Sequence, residues 1–201
     1  MPIEEDERGA YIMNSKDLCL MPRLKEVIES HPDSLKIEGR NRSEYYVGSV
    51  VRAYRNAIDT YMRDPEHFDP QPFMDDLNVL ESRGYTTAFF DGPVPPDAHD
   101  YESTHSKSDY HAAGVITNVD DKNITLELRN EIRAGDTITF ILPLTAGKVF
   151  VTLDTIINAK NGEILPKMSA GQKNSLLIPI EKIPEQYRDK MIPLVLAYKR
   201  K

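Results

Sequence analysis

Across residues 91–109, DGPVPPDAHDYESTHSKSD, the hydrophobic period of this chain changes, and one layer of structure cannot serve both sides of the change. Before that stretch, apolar residues recur at helical spacing between short strand-like runs; after it, they alternate with period two. The stretch holds three prolines and few apolar side chains, which is the composition of a linker. The chain is therefore expected to divide into an α/β part at 1–64, a helix and linker at 65–109, and an all-β part at 110–201.

In the first part, Ser34 to Glu38 reads as a strand, with Leu35 and Ile37 on one face and Lys36 and Glu38 on the other. Two placements stay open. A water-facing edge strand shows this pattern. A strand of a closed parallel barrel shows it as well, and there Glu38, Arg40 and Arg42 would stand at the mouth where such barrels hold their active sites. The helix that follows has Ser43 as N-cap, Glu44 in its first turn, and a stripe of Val47, Val50, Val51, Tyr54, Ile58 and Tyr61. Arg52, Arg55 and Asp59 fall off the stripe and read as a solvated face, with a polyanion contact by the basic side chains as the alternative.

Further elements are expected on both sides of that junction. Residues 11–15, YIMNS, read as a short strand, and Met21 to Ser30 as a helix with Leu24, Val27 and Ile28 inward. Phe73 to Arg83 reads as a helix with Phe73, Leu77 and Leu80 inward and Gly84 as its stop. About two strand–helix units cannot close a barrel that needs roughly 200 residues. The expectation is another compact α/β unit, or the tail of a longer polypeptide whose missing N-terminal barrel segment, or a partner chain, supplies the rest.

Beyond the linker, strands are expected at Ala112–Val119, Ile124–Leu128, Thr137–Leu142, Val149–Ile156, Ser175–Ile180 and Pro193–Tyr198, with a helical turn at Pro184–Lys190. Short strands at this spacing imply a small closed or nearly closed antiparallel β-barrel. The fold class is thus α/β plus all-β: the C-terminal end of an incomplete (β/α) barrel followed by a small antiparallel β-barrel.

Composition bounds the function. A chain of 201 residues with 40% apolar residues can bury a core, and a single cysteine excludes an internal disulfide framework. No apolar run approaches ~20 residues, and MPIEEDERGAY lacks the basic and apolar segments of a signal peptide, so no membrane partner and a cytoplasmic location are expected. The net charge of -7 is uneven: residues 1–109 carry 12 Lys and Arg against 22 Asp and Glu, and residues 110–201 carry 13 against 10. Neither part is a strongly basic platform, so RNA binding would need local patches.

MPIEEDERGAYIMNSKDLCL, followed by DSLKIEGRNRSEYYVGSVVRAYRNAID, resembles the C-terminal third of the collagenase-like peptidases, the U32 family. The likeness is strongest to the branch of prephenate-dependent tRNA uridine hydroxylation proteins. It runs from about residue 2 to 64 and continues more weakly through RNEIRAGD at 129–136, which could belong to any translation-factor-like barrel.

The resemblance implies an α/β barrel, an iron-sulfur cluster held by four cysteines, and an enzyme that uses prephenate to hydroxylate the wobble uridine of tRNA. Cys19, in NSKDLC, matches the last of the cluster cysteines, and the other three would lie in a region upstream of Met1. One thiolate leaves the other coordination sites unfilled, so this chain alone is expected neither to hold a cluster nor to be active. Without the resemblance, Cys19 reads as a small buried hydrophobe. Lys36, Glu38 and Arg40 match the family's barrel-end block and are the implied catalytic residues. Arg40 or Lys36 could pair with the carboxylates of prephenate, and Glu38 could instead neutralise either cation. Lys16 and Asp17 beside Cys19, with Arg42, are the implied substrate-binding residues, and an internal ion pair is the alternative for the first two.

Two other functions compete. A collagenase-like protease finds little support: there is no Ser nucleophile motif and no H-E-x-x-H, the five histidines at 31, 67, 99, 105 and 111 lack zinc spacing, and Cys19 has no obvious base. A non-catalytic module whose barrel docks RNA or a protein is the other. Its aromatic residues are Tyr110, Phe140, Phe150, Tyr187 and Tyr198, several of them expected in the core, with Lys199, Arg200 and Lys201 as a basic tail. An exposed stripe at Val47, Val50, Val51 and Tyr54 would favour a homo-oligomer.

Overall fold

The computed structural model describes residues 4–6, 9–11, 15–94, 98–99, 108–143, 147–171 and 173–201. The chain forms two compact units, one of residues 1–38 and 53–108, the other of residues 39–52 and 109–201.

The first unit contains the antiparallel pair β1 (Glu4–Asp6) and β2 (Gly9–Tyr11), and the parallel pair β3 (Asp17–Leu18) and β4 (Tyr85–Thr86). A parallel pair needs a long crossover. Helices supply it: α1 (Leu24–Glu29), entered through a 3-10 turn at Met21–Arg23, the C-terminal part of α2 (Glu44–Arg63), and α3 (Gln71–Asn78). Met21, Leu24, Ala53, Ala57, Leu77 and Leu80 are buried and form the apolar interior of this unit.

Several expectations change here. Ser34 to Glu38 forms no strand; it is irregular, and Leu35 is exposed. Alternation marks a strand only where a neighbour pairs with it, and none does. The parallel strands of this unit are instead β3 and β4, each two residues long and below the reach of a periodicity argument. In the run 11–15, Tyr11 ends β2, Ser15 bridges His99, and residues 12–14 lie outside the described residues. Leu24 is buried as expected, whereas Val27 and Ile28 are half-buried. The helix expected to reach Arg83 stops at Asn78, and Gly84, at φ +84°, leads into β4 rather than ending the helix.

Ser43 caps α2 as expected, its Oγ accepting from the Tyr46 N–H at 3.2 Å. The buried line along α2 is rotated from the expected stripe. It runs through Tyr45, Ser49, Val50, Ala53, Asn56, Ala57 and Tyr61, and Val51 is exposed. Ala53 and Ala57 are small enough to let neighbouring backbone approach closely, which a count of large apolar residues does not register. Of the four residues on which a homo-oligomer was expected, Val50 is buried, Val47 and Tyr54 are half-buried and Val51 is exposed.

The second unit is the β part. Its strands are β5 (Tyr110–Val119), β6 (Asn123–Leu128), β7 (Ile132–Arg133), β8 (Thr137–Ile141), β9 (Lys148–Thr152) and β10 (Ile156–Asn158). They continue as β11 (Ile164–Leu165), β12 (Lys167–Met168), β13 (Ser175–Pro179) and β14 (Leu196–Arg200). Eight of them make one antiparallel sheet in the order β11-β10-β13-β6-β5-β14-β8-β9, curled into a half-barrel, and β12 pairs separately with β7. Among the described residues β11 does not pair with β9, so the sheet stays open where a closed or nearly closed barrel was expected. A strand overlaps each of the six expected, with the run Val149–Ile156 broken into β9 and β10 and the last one shifted from Pro193–Tyr198 to Leu196–Arg200. The expected helical turn is α4 (Glu185–Arg188).

Alternation drives the burial. Ile124, Leu126 and Leu128 of β6 and Leu176 and Ile178 of β13 point inward, joined by Ile116, Ile138, Phe140 and Ala197. Gly114 permits the β5–β6 approach, since a Cβ there would sit 2.4 Å from the Glu127 carbonyl oxygen. Residues 44–52 of α2 lie on the outer side of β14. A Cβ on Gly48 would be 2.6 Å from Leu196 Cδ1, and the Tyr45 and Tyr198 rings are 5.8 Å apart. Arg52 is not a solvated side chain: its Nε donates to the Leu142 carbonyl at 2.9 Å and Nη2 to the Gly147 carbonyl at 3.3 Å.

Candidate functional site

Within the first unit, β3 carries Asp17, and Cys19 follows its last residue. Three backbone bonds fix this segment, two along β4, Asp17 N–H to Gly84 O and Cys19 N–H to Thr86 O, and one beside the Ser15–His99 bridge, Lys16 N–H to Ala98 O, each 2.9 Å. Cys19 is 5% exposed. Its Sγ lies 3.6 Å from the Tyr54 hydroxyl and 3.8 Å from Met74 Sδ. The same hydroxyl accepts the Leu20 N–H at 3.1 Å, so Tyr54 ties α2 to the end of β3. Burial first, and the adjacent Cys19 second, raise the pKa of Tyr54 above the ordinary phenol value. The phenol therefore stays protonated and can donate to sulfur, but it is no general base.

Asp17 is paired with Arg83, whose Nη2 is 3.5 Å from its carboxylate. The partner of Asp17 is thus an arginine just before β4, a residue the sequence reading did not pair with it. The Lys16 side chain passes Gly84, where a Cβ would be 3.5 Å from its Cδ. Lys36 and Glu38 lie on the irregular segment after α1, exposed, with a Lys36 Nζ to Glu38 carboxylate distance of 3.8 Å. Such an exposed pair adds little to stability. Arg40 and Arg42 belong to the second unit, where the Arg42 guanidinium sits 4.8 Å from the centre of the Tyr46 ring.

The structure thus places Asp17 on β3 with Lys16 and Cys19 on either side of it, and brings Tyr54 and Met74 to Cys19 and Arg83 to Asp17. Lys36 and Glu38 pair with each other on a separate loop. Sequence reading placed Tyr54 in a packing stripe and passed over Met74 and Arg83. A tyrosine within that stripe, able to bury its ring and still need a hydroxyl partner, was the available signal.

The donor set also tests the iron-sulfur expectation. Cys19 is the chain's single cysteine, and among the described residues no group of three or more His, Cys, Asp or Glu side chains could hold a metal ion. A cluster normally takes several thiolates, so the residues present do not fit it by themselves.

Residues 2–100 match the sequence profile described as Peptidase family U32. Through that segment the chain belongs to the family. It is 36% identical over 141 residues to the tRNA hydroxylation protein P1 of Bacillus subtilis, covering 69% of this chain and 33% of that protein. It is 33% identical over 178 residues to the tRNA hydroxylation protein P of Escherichia coli, covering 88% of this chain and 38% of that protein. An uncharacterized protease of Methanocaldococcus jannaschii is 32% identical over 166 residues, covering 79% of this chain and 40% of that protein. The chain spans little more than a third of the length of these U32 relatives.

Proposed function

We propose that this chain is the C-terminal portion of a protein that hydroxylates the wobble uridine of tRNA, with prephenate as co-substrate, in the cytoplasm. One observation carries the reading: the likeness to a tRNA hydroxylation protein extends over 88% of the chain, through both structural units. Its catalytic part would be completed by an N-terminal barrel segment or a partner chain. The parallel pair β3–β4 supports this, because two strands of two residues each are marginal as a sheet by themselves. Among the described residues no helix is long and apolar enough to cross a membrane.

In that complete protein Cys19 would supply one thiolate to an iron-sulfur cluster, with the other thiolates coming from outside this chain. Lys16 and the Asp17–Arg83 pair would line the same strand end. Lys36, Glu38 and Arg40 would act on prephenate, where a guanidinium suits a carboxylate and the three side chains are exposed. The protease reading has less support. Cys19 Sγ touches a phenol held protonated and a thioether, neither of which can take its proton.

A chimera tests the proposal. This chain replaces the matching C-terminal part of the Escherichia coli protein, and tRNA nucleosides are measured by mass spectrometry in a strain that lacks the native protein. Hydroxylated uridine should return, and a folded chimera that leaves tRNA unmodified would count against the reading.

A further inference from the structure

The parallel pair β3–β4 has one face covered and one bare. Side chains alternate along a strand, so Asp17 and Cys19 share a face and Leu18 points the other way. The Cys19 side meets helices, through Tyr54 of α2 and Met74 of α3. Leu18 is 64% exposed. Parallel sheets occur almost only where both faces are covered, so an apolar side chain in water on such a pair marks a missing layer.

The backbone gives the same indication. Asp17 and Cys19 donate to β4, and in a parallel pair alternate residues bond the same neighbour, so the N–H and C=O of Leu18 stand on the far edge of β3. On that edge the Lys16 N–H is taken by Ala98 O, and beyond it, at Leu18, the sheet has no third strand among the described residues. At the same end of the pair, the turn after β4 holds a second apolar ring in water. Phe89 is 76% exposed, while Phe90 turns back to the Arg23 guanidinium, 5.3 Å from its ring centre. The turn is tied down: Ala88, at φ +50°, donates its N–H to Thr86 Oγ1 at 3.1 Å, and Asp91 pairs with Arg23 at 2.9 Å. A residue other than glycine keeps that conformation only where its surroundings fix it, so Phe89 is held outward.

We infer that this bare side of β3–β4 seats the N-terminal segment of the complete protein, which lays a strand parallel to β3 along the Leu18 edge and packs apolar side chains on Leu18 and Phe89. The inference rests on the proposed function, in which such a segment completes the catalytic part, and names the surface and the two side chains that receive it. The relatives have the length to supply it, since the matched region covers 33%, 38% and 40% of theirs. Charge argues against other occupants. The first unit holds 9 Lys and Arg against 20 Asp and Glu, a net −11, while the second holds 16 against 12, a net +4. An RNA backbone, or the same unit of a second copy, would therefore meet like charge at this face.

Hydroxyl-radical footprinting read by mass spectrometry measures the exposure of each side chain. Leu18 and Phe89 should be oxidised readily in the 201-residue chain and several-fold more slowly in the Escherichia coli chimera, while Phe150, 67% exposed in the second unit, should keep its rate. Leu18→Asp should leave the thermal midpoint of the 201-residue chain unaltered, because that side chain is in water there. In the chimera it should lower the midpoint, because the carboxylate would be buried without a partner. Equal oxidation of Leu18 and Phe89 in the two proteins, or equal effects of Leu18→Asp, would overturn the inference. Should the chimera be insoluble, the footprint is taken on the 201-residue chain co-expressed with the N-terminal part of the Escherichia coli protein, and failure of the two to co-purify counts against it. The two readings fail separately. An active chimera with Leu18 and Phe89 unprotected removes the seat alone, and an inactive, folded chimera with both protected removes the hydroxylation reading alone.

Discussion

Arg52 shows how one side chain can reverse its expected role. Lying off the apolar stripe, it reads as solvated, yet its guanidinium closes the β8–β9 turn by bonding two carbonyls. Arg52→Ala should therefore lower unfolding stability by about 1–3 kcal/mol, measured by urea denaturation; a loss indistinguishable from zero would mean these bonds are replaced by water at no cost. Gly114→Ala should cost about as much or more, because the added methyl meets a backbone oxygen that cannot move aside. At Cys19 the sequence was informative through a motif and not through periodicity. Its position at the end of a parallel strand follows the family block, whereas its neighbours Tyr54 and Met74 come from helices 35 and 55 residues away, a distance no local pattern spans. In the Escherichia coli chimera, Cys19→Ala should abolish hydroxylated uridine while leaving the protein soluble. Retained modification would show that this thiol is not needed.

Among elements, the β part was more legible than the α/β part, for a physical reason. A strand with one face in a core writes its alternation into the sequence, as in β6 and β13, so each of the six expected strands has a counterpart in the fold. Strands of two residues, such as β3, β4, β7 and β12, write nothing. The pair β7–β12 is held by side chains that flank it. Glu131 bonds Lys167 at 3.0 Å, Arg133 Nε at 2.8 Å and Ser169 at 3.1 Å. These bonds, Lys167 first, lower its pKa from 4.5 to about 2. Because the folded value is depressed, the stabilisation is present above pH 4.5 and is lost as pH falls toward about 2. Glu131→Gln should flatten the fall of thermal midpoint between pH 5 and pH 2, and an unaltered acid limb would contradict the assignment. The stretch Ser34–Glu38 is the converse case: it carries the alternation and lacks the neighbouring strand, so it stays irregular.

For the molecule as a whole, two units of opposite charge share α2, with residues up to Arg52 in the basic unit and those from Ala53 in the acidic one. Sequence reading located a charge asymmetry but placed the first part of α2 with the acidic side, because chain order hides a helix that serves two interiors. The single thiol limits chemistry at this scale. Reconstitution of the isolated chain with iron and sulfide should give no cluster absorption, and incubation with tRNA, prephenate and a reductant should give no hydroxylated uridine; a stable cluster would mean ligands other than cysteine complete it. The most direct measurement is the nucleoside content of tRNA from cells of the source organism with and without the coding sequence of these 201 residues. The account predicts that hydroxylated wobble uridine disappears when the sequence is deleted and returns when it is restored, and unchanged levels after deletion would contradict it.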